Sequence, residues 1–323
     1  MSPMSLGMGV GLSDLGRVNP IVARATPGDY AALGGVTSFT NASANGVPSF
    51  IGSNGLVQFV NTNTLRDAHY VGGVRTILLE SATEDILLQT ENMTLGAVWS
   101  VAKANAGVLP AVTVNQGTAP DGAAAADKVV FIAPGAGDYS ELRQFVTVVT
   151  GSQYRGGLWV KAFAAGDVGK ILLCRHVGGG AYFNIVLTAD WQRVGATVVA
   201  GIPAQSFSLI LRPSSGSSSG TVAALFWGAN LRLGTFEQSY VPATAATVIR
   251  AVDALTLAGS AVFGGASTLF YRYWDLATSA WVNLAAPYTP GDPITPAVDR
   301  AYADLAILRG SLSTAAAAQA MGY

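Results

Sequence analysis

The sequence predicts a mainly β protein: an antiparallel jelly-roll-type β-sandwich with a β-rich N-terminal attachment region and a small β C-terminal unit. Three observations carry that prediction. Short runs rich in Val, Ile, Leu and Phe recur roughly every ten residues between positions 128 and 227. Clusters of turn residues separate them. Good helix candidates are almost absent from the same region, which argues against βαβ units.

The runs are Lys128–Ala133, Gln144–Thr150, Gly157–Phe163, Lys170–Arg175, Ala181–Leu187, Arg193–Val199, Phe207–Arg212 and Thr221–Trp227. Between them lie turn signals such as GAGD, AAGDVG, VGGG and PSSGSSSG. The Ser214–Gly220 stretch has linker composition, but strong strands on both sides make it read as a long hairpin loop. Upstream, residues 1–36 are punctuated by Gly and Pro and read as an extended arm. Val36–Thr40, Leu56–Val60, Arg75–Glu80 and Asp85–Gln89 then suggest a compact β-rich connector. Downstream, Ala254–Ala258, Ser267–Trp274, Trp281–Ala285 and Ala301–Leu308 read as strands, and Ser313 can N-cap a short helix over Thr314–Met321. The expected domains are 1–90 for the extended arm and β-rich attachment region, 91–250 for the sandwich and 251–323 for the C-terminal unit.

Composition narrows the class further. Hydrophobic residues make up 50% and charged residues 11%, under half the usual charged fraction of about 25%. No run approaches the roughly 18 apolar residues of a membrane helix, so no membrane insertion is expected. The first 16 residues carry no Lys or Arg, so a signal-peptide n-region is not expected and synthesis in a reducing cytosol is. A single cysteine, Cys174, excludes an intramolecular disulfide and reads as a small buried hydrophobe. A net charge of −1 and a pI near 6.1 give no electrostatic footprint for nucleic acid.

The motifs of enzyme chemistry are missing. The two histidines, His69 and His176, have no zinc-ligand spacing, and no GxSxG elbow, Walker loop or EF-hand loop occurs. Neither enzymatic activity nor a cofactor or metal is expected. Asp138 and Glu141 are the best carboxylate pair for glycoside cleavage, set against an ordinary solvated loop before a strand. For sugar binding, alternation places Trp159 and Lys161 on one side of their strand, and Tyr182 and Asn184 on one side of theirs. If the two strands are neighbours, these four residues form a glycan-stacking face. The competing reading packs Trp159 into the core.

Several segments resemble a family of bacteriophage fibre and head-spike structural proteins that carry a carbohydrate-binding-module-like jelly roll. They are SFTNAS (38–43), NGLVQFVNTNTLRD (54–67), RTILLESATEDILLQTENM (75–93), APDGAAAADKVVF (119–131), GLWVKAF (157–163), WQRVGAT (191–197) and ALFWGANLRLGTFEQSYVPAT (224–244). Their order spans about 250 residues. Ile77 stands where the family usually has Asn, and the segment after Asp253 is short for a full laminin-G sandwich. The resemblance implies a homo-oligomer, trimer favoured, assembled in the host cytoplasm and displayed on the virion surface. It would be attached to capsid or tail proteins by its N-terminal region and would touch a host surface polysaccharide. The rival readings are a purely architectural decoration or connector protein, and a polysaccharide depolymerase.

Overall fold

The computed structural model describes residues 21–25, 36–40, 49–61, 65–66, 68–71, 73–80, 82–176, 182–235, 239–257, 266–275, 278, 280–289, 291–295, 300–309 and 311–323. Most of the segment expected to form an extended arm, and the glycines at 178–180, lie outside these residues. Two compact units are distinguished: residues 39–254 with 295–301, and residues 1–38 with 255–294 and 302–323.

The larger unit is a two-sheet antiparallel sandwich. One sheet has five strands in the order β14-β13-β16-β11-β8: β8 (Trp99–Ala104), β11 (Tyr139–Thr147), β13 (Ile171–Arg175), β14 (Phe183–Val186) and β16 (Ala204–Leu211). The other contains β15-β12-β17-β10-β9: β9 (Val108–Gly117), β10 (Ala126–Ala133), β12 (Gln153–Ala162), β15 (Gln192–Val199) and β17 (Gly220–Leu233). The chain passes from sheet to sheet again and again, as a jelly roll does. Between the sheets alternate residues interdigitate, among them Trp99, Phe131, Leu142, Leu158, Phe207, Leu209 and Phe226, all fully buried.

Two strands, β8 and β9, were not read from the sequence. β9 carries Pro110, which a strand interior rejects, and tolerates it because β9 is the edge of its sheet. The loop containing Ser214–Gly220 is not a hairpin. It joins β16 to β17, which belong to different sheets.

Two short hairpins precede the sandwich: β3 (Ser49–Ile51) with β4 (Val57–Phe59), and β5 (His69–Val71) with β6 (Val74–Leu79). β7 (Thr83–Asp85) then pairs with β17 and with β18 (Val248–Arg250), so it joins the second sheet. These flanking pieces are tied together by a buried ion cluster. Arg66 bonds both Glu80 and Asp253, and Arg250 lies 3.3 Å from Glu80 and 3.6 Å from Asp253. All four side chains are essentially inaccessible to water. Two guanidiniums face two carboxylates, so the cluster is neutral. Burial alone would raise the Glu80 carboxyl, but Arg250 and Arg66 outweigh it and hold the group well below the usual carboxylate range. At Asp253 burial prevails over Arg66 and Arg250 and lifts the carboxyl to about 6.

His69 lies beside this cluster. Its Nδ1 accepts the Ile51 N–H at 3.1 Å, which requires an unprotonated nitrogen there, and burial lowers its pKa to about 4.

In the smaller unit, β20 (Ser267–Asp275) and β21 (Ala280–Tyr288) form a hairpin in register from Ser267↔Tyr288 to Asp275↔Ala280. β22 (Arg300–Arg309) lies on the other side of β20 and pairs with β1 (Ile21–Ala25). Among the described residues the remaining strands are β2 (Val36–Thr40) and β19 (Ala254–Leu257). Helix α1 (Thr314–Met321) begins as expected: the Ser313 Oγ accepts the Ala316 N–H, and Gly322 ends the helix at φ 84°. Ala317 and Met321 pack on Phe270, Ala306 and Leu308.

Two outcomes are expected. Arg66→Ala leaves Glu80 and Asp253 buried with one guanidinium between them, and should cost about 3–5 kcal/mol in a denaturant titration. His69 sits depressed, so its contribution is complete above its unfolded value near 6.5 and is lost as pH falls toward 4. Because Asp253, shifted upward, acts in the opposite sense over much of that window, the wild type alone is uninformative. The stability gap between wild type and His69→Asn should instead narrow by roughly 1–3 kcal/mol from pH 7 to pH 4, read by thermal melts of both proteins.

Candidate functional site

The sandwich has two outer faces, and they differ in what covers them. On the seven-stranded sheet, Trp159, Leu225 and Trp227 point away from the inter-sheet core, as alternation requires. They are nevertheless buried, Trp159 to 6% exposure, in a second core with Val57, Ala119, Ala126 and Tyr240. The Tyr240 ring lies 4.5 Å from that of Trp227. Its hydroxyl is 2.8 Å from the Thr90 Oγ1 and donates to Glu91 at 3.0 Å. Gly228 suits this place through its backbone rather than its lack of a side chain. At φ 63° it adopts a left-handed conformation, and a Cβ there would lie 3.4 Å from the Trp159 and Tyr240 rings.

The glycan face expected from Trp159, Lys161, Tyr182 and Asn184 therefore does not form. β12 and β14 stand in different sheets, so Tyr182 and Asn184 cannot flank Trp159. Trp159 is covered, and the Lys161 ammonium sits 5.1 Å over the half-buried Trp191 ring. Asn184 is exposed on β14, opposite Leu173, and Tyr182 is half-buried just before that strand.

Tyr182 instead belongs to the outer face of the five-stranded sheet. Strand register aligns Arg175 with Ser208 and Ser208 with Arg143 across β13, β16 and β11. Glu141, next to this row, lies beneath the guanidiniums. Its carboxylate accepts from Arg175 at 3.0 Å and from Arg143 at 3.5 Å, and its side chain is 6% exposed against 25% and 29% for the two arginines. Arg175 also donates to the Ser206 Oγ at 3.0 Å and lies 5.8 Å from the Tyr182 ring centre. Arg212 donates to the Tyr182 hydroxyl at 3.2 Å and lies 5.8 Å over the Tyr139 ring. Arg143 stacks 4.8 Å over Phe145, a ring that is 65% exposed. Aromatic rings, guanidiniums and hydroxyls thus share this side of the sheet with the buried Leu173 and Ile210.

The sequence held part of this signal. In β11, YSELRQFVT, the odd positions Tyr139, Glu141, Arg143 and Phe145 share one side opposite Leu142 and Val146. The sequence could not show that β13 and β16 bring Arg175 and Arg212 to the same side, because strand order is non-local. The other carboxylate of the suspected hydrolytic pair, Asp138, is committed to a turn. Its oxygens accept the Ala106 N–H at 2.9 Å and the Gly135 N–H at 2.7 Å.

No protein-family model and no curated protein matches the chain. Solved structures similar to it include the tandem CBM22-1–CBM22-2 domain from Paenibacillus barcinonensis Xyn10C, at 11% identity and TM-score 0.32, covering 73% of this chain and 92% of that one. A family 11 carbohydrate-binding module from Clostridium thermocellum, in complex with a β-1,3-1,4-mixed-linked tetrasaccharide, matches at 10% identity and TM-score 0.31, covering 48% and 98%. The enzymatically active domain of bacteriophage CBA120 tailspike protein 4 matches at 16% identity and TM-score 0.18, covering 52% of this chain and 20% of that one.

Trp159→Ala should behave as a core truncation. A loss of about 3–5 kcal/mol and a collapsed melting midpoint are expected; an unchanged midpoint would return Trp159 to the surface.

Proposed function

We propose that the chain is a structural subunit of a bacteriophage virion, a tail fibre or head fibre/spike, whose sandwich adheres to glycan on the host surface. One observation carries the glycan reading: Tyr139, Tyr182 and Phe145 share an outer sheet face with Arg143, Arg175, Arg212 and Glu141. Sugar rings stack their C–H faces on aromatic side chains, and their hydroxyls bond well to ionised groups. The virion reading is supported by the ordered motifs from Ser38 to Thr244 and by the sparse charge. A surface with so few ionised groups is poorly suited to a solitary soluble subunit. In this proposal the protein is a homo-oligomer, trimer favoured, assembled in the host cytoplasm. Its N-terminal region joins capsid or tail proteins, and it neither enters a membrane nor binds nucleic acid. It acts without catalysis or cofactor. Single glycan sites of this size are weak, and many copies would add roughly 10²–10⁴ through avidity.

A second reading, a purely architectural connector, has its own observation. Val199, Val149 and Ile202 are 54%, 64% and 59% exposed. They lie on adjoining segments at one end of the sandwich, where Val148 donates to the Pro203 carbonyl and Gly151 to that of Ala200. Contiguous exposed apolar residues favour protein contact.

A glycan array probed with the oligomeric protein and with Tyr182→Ala separates the two. Discrete glycan signals that fall at least tenfold in the variant, with its melting midpoint unchanged, are expected. A blank array for the wild type leaves the architectural reading. Release of reducing ends from host polysaccharide would instead identify a depolymerase.

A further inference from the structure

Resting on the glycan reading, we propose that this face selects acidic polysaccharide, a polymer whose repeating unit carries a carboxylate or a phosphate. The charges on the face are unequal. Arg143, Arg175 and Arg212 stand against Glu141 alone, a balance of 3 − 1 = +2 within a chain whose net charge is −1. Their placement sharpens the imbalance. Glu141 is nearly covered, while the guanidiniums above it are about a quarter exposed, so the field leaving the surface is positive.

The donors are also held in place. Arg175 is anchored by Glu141 and Ser206, Arg143 by Glu141 and the Phe145 ring, and Arg212 by the Tyr182 hydroxyl and the Tyr139 ring. Guanidiniums fixed by neighbours lose little freedom when an oxyanion arrives, and their forked donors match the paired oxygens of a carboxylate or phosphate. Arg212 stands four residues from Ser208 along the chain, and Ser208 marks the row of Arg175 and Arg143. At about 3.3 Å per residue the Cα atoms of Ser208 and Arg212 are roughly 13 Å apart, but the side chains converge on Tyr182: Arg175 lies 5.8 Å from its ring centre and Arg212 bonds its hydroxyl at 3.2 Å. A sugar ring at Tyr182 therefore has two guanidiniums within reach, and Arg143, across Ser208 from Arg175, is placed for the anion of a neighbouring unit of the polymer.

The test uses the full-length oligomer and three soluble polymers: polygalacturonate, its carboxyl-reduced neutral counterpart, and a glycerol-phosphate teichoic acid. Binding of either anionic polymer should be at least tenfold tighter than of the neutral one and should weaken as salt rises. Which anionic polymer binds identifies the anion. Arg212→Gln should lose most of the anionic preference while keeping the wild-type melting midpoint, and Arg143→Gln serves if that variant does not fold. Equal binding of neutral and acidic polymers would overturn the charge inference and leave glycan binding intact. Binding of neither, together with a blank glycan array, would overturn both.

Discussion

The four-charge cluster of Arg66, Glu80, Arg250 and Asp253 is the constraint on which the larger unit depends. Each ion buried on its own would cost several kcal/mol, so none of the four is tolerable without the others. Their backbone neighbours are bound into the same arrangement. Arg66 donates to the Ser49 carbonyl at 3.1 Å, Glu80 N–H to Asp253 at 2.6 Å, and Asp253 N–H to the Glu80 carbonyl at 2.9 Å. Ser49 in turn donates to the Tyr240 carbonyl at 2.6 Å. The cluster therefore fixes the β3–β4 hairpin and the Ser239–Tyr240 segment that follows β17 at once.

What those segments cover explains the composition of β17. A sheet strand with one wet face alternates, but Thr221–Trp227 is apolar at nearly every position. Val222, Ala224 and Phe226 enter the core between the sheets, while Leu225 and Trp227 enter the second core under Val57 and Tyr240. On the opposite sheet the outer positions are mixed: Leu173 and Ile210 are buried there too, beside partly exposed arginines and phenols. The unequal covering of two similar sheets is what separates a packing face from a face available to a ligand.

Much of the architecture was legible in the sequence. Period-2 runs and turn chemistry located β10 and β12 to β17, and Ser313 marked the start of the one α-helix among the described residues. β11 begins at Tyr139, five residues before the run at Gln144, so Glu141 lies in a strand and not in the loop expected for it. What was not legible had a common physical origin. Trp159 obeys alternation, yet whether an outward ring is wet depends on segments some 80 to 100 residues away in sequence, Val57 and Tyr240. Tyr182 was identified and its partners were not, because Arg175 and Arg212 reach it through strand order and inter-sheet crossings that no local pattern encodes. Pro110 hid an edge strand whose backbone does not need the missing donor on its open side.

The ion cluster also bears on how the chain reaches its native state. Arg66 and Asp253 are 187 positions apart, so closing the cluster requires a contact nearly as long as the unit itself. Loop-closure entropy and a high contact order make such a step slow. During synthesis, the N-terminal partners and nearly all the sandwich strands leave the ribosome before Arg250 and Asp253 exist. Until then the cluster that holds Ser239 and Tyr240 in place is incomplete, so the cover over Trp159 and Trp227 is not secured, and unfinished sheet faces of this kind are prone to associate with other chains. The burial that secures the finished unit thus leaves the nascent one dependent on two residues made after strands β8 to β17, and a chain truncated before residue 250 would hold its aromatic sheet face under a cover that the cluster no longer secures.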